Sequence, residues 1–484
     1  VKTTGRSPIY FLALALLSDV TAQQSVSPAP AAYRAVNSIS GDSLRGDLSF
    51  LASNLLEGRG TPSRGLDIAA EYIAAQFRRA NLEPLGDDGY FQTAGMLRAE
   101  PVTTSLELRV LDGSAVTLVK DYSPIVVSQQ PVDLANVPIY KISSAHAEAE
   151  LKAASVRGKV VEFDDLEEQT DALAKAALTF QPAAFLQVES GHPMAGVLID
   201  PGKERAVYGG IPRLIVRGTD AVRLLRNAKA GETGIMLSIH EAAHSPVSVT
   251  LRNIAGLLRG SDPALRDQYI LLTAHYDHLG RPNGVVFPGA NDDGSGAVSV
   301  VEIAQALASL PVHPKRSIVF MTFFGEEEGS LGSRYYTGHP LVPLSKTVAD
   351  LNLEQLGRTD SNAGPEISNA TLTGFGYSSV ARTLQRAGQL TAVKVYETPG
   401  GDEYFDRSDN LPFAEHGIPA HTLAVAFVFP DYHRPGDVWQ KIDYTNMAKV
   451  DRMIAMGIIL LANNPGAPQW NRENPNAAKY LKAR

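Results

Sequence analysis

From Asp42 to Leu56 and again from Gly65 to Ala80, apolar residues recur three or four positions apart, the period of an amphipathic helix. In the second segment Leu66, Ala69, Tyr72, Ile73 and Phe77 form the stripe. Between the two lies a Gly-rich turn, Leu56-Glu57-Gly58-Arg59-Gly60-Thr61. From Ser105 to about Ile239 short β-rich runs dominate, at 106–111, 137–140, 159–163, 184–188 and 212–216, with a few helical stretches between them. This stretch reads as a separate, smaller α/β or β module. After Val247, apolar runs of strand length alternate with helical patterns. Strands are expected at 269–274, 317–324, 347–353 and 419–425, and helices at 296–310, 378–387 and 444–462. Such alternation implies helices on the faces of a mostly parallel sheet. The expected fold class is α/β: a mixed, mostly parallel sheet flanked by helices, with a smaller β-rich α/β domain inserted.

The 484 residues are 44% apolar and 20% charged, which disfavours both a wholly disordered chain and a polytopic membrane protein. A net charge of −8 argues against nucleic acid as the main partner, because duplex binding shows a basic footprint. There is no cysteine, so any metal must be held by His, Asp and Glu. Lys2 and Arg6 precede an unbroken apolar run, Ile9 to Leu17, and the small residues Val20-Thr21-Ala22 follow. This is the pattern of an export signal, too short to span a bilayer. The competing reading is a retained N-terminal helix or membrane anchor. Nothing later resembles a membrane span, and the expected destination is the periplasm or the exterior. The expected organisation is a signal at 1–22, a flexible leader at 23–37, a first core part at 38–122, the insert at 123–243, a second core part at 244–466 and a tail at 467–484.

The residues able to do chemistry lie at the ends of the expected strands, where open α/β sheets bind ligands. The first strand runs into His275-Tyr276-Asp277-His278, and a loop holding Asn291-Asp292-Asp293 precedes the helix. The next strand runs into Glu326-Glu327-Glu328, the next into Glu354, and a later loop carries Tyr432-His433. Each signal alone is weak, since a Glu triplet is commonly a solvated charge run. Together they are an improbable coincidence, because a carboxylate directly after an apolar strand is costly unless paired, solvated or metal-bound. Two imidazoles and three carboxylates suit zinc. A shared carboxylate and a spare one beside it suit two-metal hydrolysis.

The chain resembles the M28 family of zinc peptidases, the co-catalytic aminopeptidase and glutamate-carboxypeptidase-like enzymes. The resemblance rests on A-H-Y-D-H-L-G at 274–280, P-G-A-N-D-D-G-S-G at 288–296, E-E-E-G at 326–329, N-L-E-Q-L-G-R at 352–358 and Y-H-R-P-G-D at 432–437, with L-E-G-R-G at 56–60 upstream. The R-G-K-V-V run at 157–161 makes the insert look like a protease-associated (PA) domain. The resemblance implies two zinc ions bridged by Asp292, one completed by His275 and Glu354 and the other by Glu327 and His433. It implies that Glu326 is the general base on a water bridging the ions, that Asp277 orients His275 and that Tyr432 donates to the oxyanion. It also implies a cis peptide between Asp292 and Asp293. Position 354 is Glu where many members have Asp; Glu reaches one methylene further, which bears on substrate class more than on hydrolysis.

The implied function is that of an exported di-zinc exopeptidase acting on peptides, foremost an aminopeptidase. A carboxypeptidase on short peptides stays open, since the ligand set does not distinguish the two. A single-zinc glutaminyl-cyclase-like enzyme and a non-catalytic binding protein are the remaining alternatives. The loop Asp402 to Asp409 is read equally as pocket lining, with Arg407 or an acidic neighbour contacting a substrate terminus, or as a structural loop. His278 is read as a pocket-edge or structural residue rather than a third ligand, and His416 and His421 as packing residues. Glu328 and the acidic cluster Asp164 to Asp171 are read as solvated, and the Asn- and Pro-rich tail as wrapping the surface or fraying.

Overall fold

The computed structural model describes residues 28–483, except 101–106, 111–115, 119–124, 129, 143–155, 164–173, 175–176, 190–196, 218, 243–245, 363 and 399. The expected signal at 1–22 and the acidic cluster at 164–171 lie outside the described residues.

The main sheet runs across Lys394–Tyr396, Asn369–Leu372, Ala420–Ala424, Thr347–Glu354, Tyr269–His275, Ser317–Phe323, Val247–Leu258, Phe91–Ala99 and Val197–Ile199, with Glu83–Pro84 also paired to Val247–Leu258. Tyr269–His275 is parallel to both of its neighbours, Ser317–Phe323 and Thr347–Glu354, and the latter is parallel to Ala420–Ala424. From Val247–Leu258 outward the pairing is antiparallel. The central strands are buried along their whole length. Covered on both faces, they read as continuous apolar runs rather than as alternation.

After Tyr269–His275 the chain adds Ser317–Phe323 on one side and then crosses to add Thr347–Glu354 on the other. That reversal opens a crevice beyond the carboxyl ends of these strands. The helix between the first two strands, Ser295–Ala308, is buried on nearly all sides and packs between the sheet and the closing helix Tyr444–Asn463. Asp443 caps the closing helix by accepting from Asn446 N.

A second sheet runs Val116–Leu118, Glu107–Val110, Gly231–Glu241, Val132–Ile142, Val160–Phe163, Ala184–Glu189, Arg213–Arg217 and Ile125–Val127, over its own apolar cluster. It takes in two strands that precede residue 123. Conversely Val197–Ile199, within the expected insert, pairs with Phe91–Ala99 of the main sheet. Strand partnership at long range sets these limits, and the local pattern carries no trace of it.

Two terminal stretches are better packed than their composition suggests. Pro30–Asn37, within the expected leader, is a helix whose Ala32, Ala35 and Val36 are buried. Its proline sits at the start of the helix, where it is tolerated. In the tail, Trp470 donates from its indole N–H to Gly417 O at 2.9 Å and stacks on Tyr480, which meets Phe405 at 5.3 Å. Among the described residues no helix is long and apolar enough to cross a membrane.

Candidate metal centre

His275 is the last residue of its strand and is buried. Its Nε2 lies 3.5 Å from Asp292 Oδ1, 3.6 Å from Glu354 Oε1 and 3.9 Å from Glu326 Oε2. The other oxygen of Asp292, Oδ2, lies 3.1 Å from His433 Nε2, which is itself 3.3 Å from Glu327 Oε2. Asp292 thus stands between two imidazoles, one facing each oxygen. All five expected ligands and Glu326 are brought together.

The donor atoms also include residues beyond that set. His275, Asp293 and Glu354 converge within 4.8 Å, as do His278, Asp292 and Glu327. Buried Asp292 Oδ2, the oxygen that faces His433, has no hydrogen-bond partner. Buried polar atoms without partners are expensive, and a cation would satisfy them. Nitrogen and carboxylate donors in this number are the set that catalytic zinc uses, so the residues present fit zinc.

Backbone contacts hold the ligands in place. Asp437 accepts from Asn291 N at 3.0 Å and from Asp292 N at 3.1 Å. Asp293 Oδ1 accepts from Gly296 N at 2.9 Å and from Gln355 N at 3.1 Å. Asn291 Oδ1 accepts from Gly357 N and Ser295 Oγ from Leu356 N. The loop carrying Asp292 is therefore stitched to the residues just after Glu354. The Asp292–Asp293 peptide is cis. Asp277 Oδ1 lies 3.4 Å from His275 Nδ1 and accepts from Glu326 N at 3.1 Å, while its Oδ2 accepts from Thr61 Oγ1. One carboxylate so positions both the imidazole and the Glu326 backbone, the outer contact that metal-ligating histidines commonly make.

Electrostatics separates the two neighbouring glutamates. Burial, together with Glu354, Asp409 and Glu327, raises the proton affinity of Glu326 well above that of an ordinary carboxylate, against His275. Burial and Asp292 push Glu327 up as well, but His278 and His433 outweigh them and bring it down to about 2. Burial opposes a charged His433, yet Asp292 and Glu327 push it up to about 10. Paired carboxyl groups driven apart in this way divide into proton carrier and fixed charge.

Several contributors carried no assigned role in the sequence. Arg59, fully buried, donates to Leu51 O, Tyr276 O, Pro288 O and Gly289 O. Ser408 Oγ donates to Glu354 Oε1 at 2.5 Å and accepts from Asn352 Nδ2 at 2.8 Å, so the 402–409 loop reaches the site through its serine. Asp409, also buried, accepts from Ser333 Oγ. Exposed Arg407 lies over the Tyr404 ring instead. Asp431 accepts from Arg358 at 3.0 Å and Lys441 at 2.9 Å, anchoring the loop of His433. Tyr432 is 39% exposed and stacks on the His433 ring at 4.0 Å. His416 contacts Pro412 O nearby in the chain, and buried His421 contacts the distant Ser378 Oγ and Thr373 O. Arg59 and Asp437 lie inside the quoted motifs, which gave them no role; for Ser408 a polar loop was the only signal.

Residues 253–458 match the model of peptidase family M28. The chain is 29% identical to aminopeptidase YwaD of Bacillus subtilis over 215 residues, 43% of this chain and 44% of that protein. It is 28% identical to a probable leucine aminopeptidase 2 of Aspergillus oryzae over 327 residues, 65% of this chain and 60% of that one. The chain thus spans about half the length of the curated relatives it matches. An aminopeptidase structure from Aneurinibacillus sp. strain AM-1 superposes with a TM-score of 0.59 at 18% identity, covering 90% of this chain and 97% of that one, a likeness of fold.

Proposed function

We propose, from the match of residues 253–458 to the model of peptidase family M28, that the chain is an exported di-zinc aminopeptidase. The observation that supports this most is Asp292, whose two oxygens face His275 and His433 separately. In this reading His275 and Glu354 would hold one zinc, Glu327 and His433 would hold the other, and Asp292 would serve both. Zinc bound there would polarise the scissile carbonyl and lower the pKa of the attacking water.

The chain's own residues do the rest. Glu326 takes the proton of the attacking water and passes it to the leaving amine. Asp277 keeps the His275 ring and the Glu326 backbone in register. Tyr432, exposed beside His433, donates its hydroxyl to the oxyanion that develops on the carbonyl. Relatives of similar sequence are named aminopeptidases, which supports release from the amino end. The apolar run Ile9 to Leu17 supports export to the periplasm or the exterior.

The test uses zinc-loaded protein and one short peptide in three forms. Release of the first residue from the free peptide and from its C-terminal amide, with none from the N-acetylated form, is the expected result. Cleavage of the acetylated form that is lost on C-terminal amidation would make the enzyme a carboxypeptidase.

A further inference from the structure

We propose that His278 is a positioning residue, holding Glu327 by its Oε1 so that Oε2 is left to face His433 and the cation. The proposal rests on the zinc-site reading above. His278 Nδ1 lies 2.7 Å from Glu327 Oε1 and 3.9 Å from Asp292 Oδ2. Donors about 2.0–2.1 Å from one tetrahedral ion stand about 3.3 Å apart. The His433 Nε2 distances of 3.1 Å to Asp292 Oδ2 and 3.3 Å to Glu327 Oε2 match that spacing. Those of His278 do not: the first is the length of a charge-assisted N–H···O contact, and the second is too long for a shared ion. Both atoms are buried and neither has a hydrogen bond of regular geometry, so the 2.7 Å ion-pair contact is the close polar approach recorded between them.

The ring has no room to leave. It is buried, and a Cβ on Gly289 would meet its Cγ at 2.4 Å, so the Gly289 backbone packs directly on the imidazole. Gly289 has φ of +57°, a conformation that glycine adopts without strain. The His278 backbone N–H donates to Arg59 O, and the ring meets that of His433 edge-on at 5.7 Å. Glu327 is a long side chain on the turn after Ser317–Phe323, and a fixed donor on one oxygen removes the freedom that would otherwise oppose binding. An imidazole with its proton on Nδ1 does this; a solvent-facing residue would not.

Two near-isosteric variants separate the ring nitrogens. His278→Asn places its amide nitrogen where Nδ1 lies, and His278→Gln places its own where Nε2 lies. Zinc affinity is read by competition with a chromogenic chelator, with circular dichroism as the check on folding. The expected result is that His278→Gln weakens one of the two zinc ions by about 10–100-fold and leaves the other unchanged, while His278→Asn stays within a few-fold of wild type. Equal, wild-type affinities in both variants overturn the proposal. Complete loss of one ion in both also overturns it, because the imidazole is then a ligand. Wild-type protein that binds no zinc overturns the site reading itself, an outcome distinct from the other two.

Discussion

Replacing Glu326 by Gln is expected to leave the zinc content unchanged and to lower kcat by about 10²–10⁴-fold, the usual worth of a positioned general base. The carboxyl group is beside His275 Nε2 at 3.9 Å, farther than the Asp292 and Glu354 oxygens, so it is the spare carboxylate of the cluster. Its backbone is pinned to Asp277, which keeps an isosteric amide in the same place. Gln retains the shape and hydrogen bonding but accepts no proton at neutral pH. The loss therefore falls on kcat, with little change in KM, because proton transfer occurs only on the way to the transition state. Steady-state kinetics with parallel elemental analysis checks this; near-wild-type turnover with the metals retained would contradict the assignment.

Arg59→Met is expected to destabilise the protein by about 3–5 kcal/mol, the range for removing one partner from a buried charged network. The guanidinium spends its donors on four carbonyls from three parts of the chain: the end of helix Gly41–Leu51, the residue after His275 and the loop that leads to Asp292. Burial works against its charge, but Asp277, Asp437, Asp293 and Asp292 favour it, so its removal also leaves their charge less balanced. Arg59→Lys recovers only part of the stability, since an ammonium lacks the fixed fork that spans these acceptors. Urea unfolding of zinc-loaded variants measures the effect. A midpoint unchanged in Arg59→Met would show that the loops are held otherwise.

The catalytic half of the fold was legible because its central strands are buried on both faces. Their apolar runs stop abruptly at His275, at Gly325 before Glu326, and at Glu354, and a polar residue at such a stop is conspicuous. Residues that act through distant partners were not legible. Arg59 lies between two glycines, two residues after a glutamate, and has the local look of a solvated charge, yet its acceptors are as far away as Gly289. Ser408 reaches Glu354 from a loop whose Phe405 meets the tail residues Trp470 and Tyr480, contacts far along the chain. His278 stands in the A-H-Y-D-H run and reads as a pocket-edge or structural residue, but its spacing carries no sign of Glu327 as its neighbour. The limits of the second sheet were hidden for the same reason: Glu107–Val110 joins it through Gly231–Glu241, far along the chain.

The central claim is a site built for two cations around one shared carboxylate, and the zinc content of the purified protein tests it most directly. Elemental analysis against protein concentration, after incubation with zinc and removal of the excess, is expected to give two zinc per chain for wild type. Asp292→Asn, which weakens the one ligand both ions share, is expected to hold neither stably. A wild-type content of one would contradict the two-ion site and leave a single-zinc enzyme; a content of none would contradict the peptidase reading altogether.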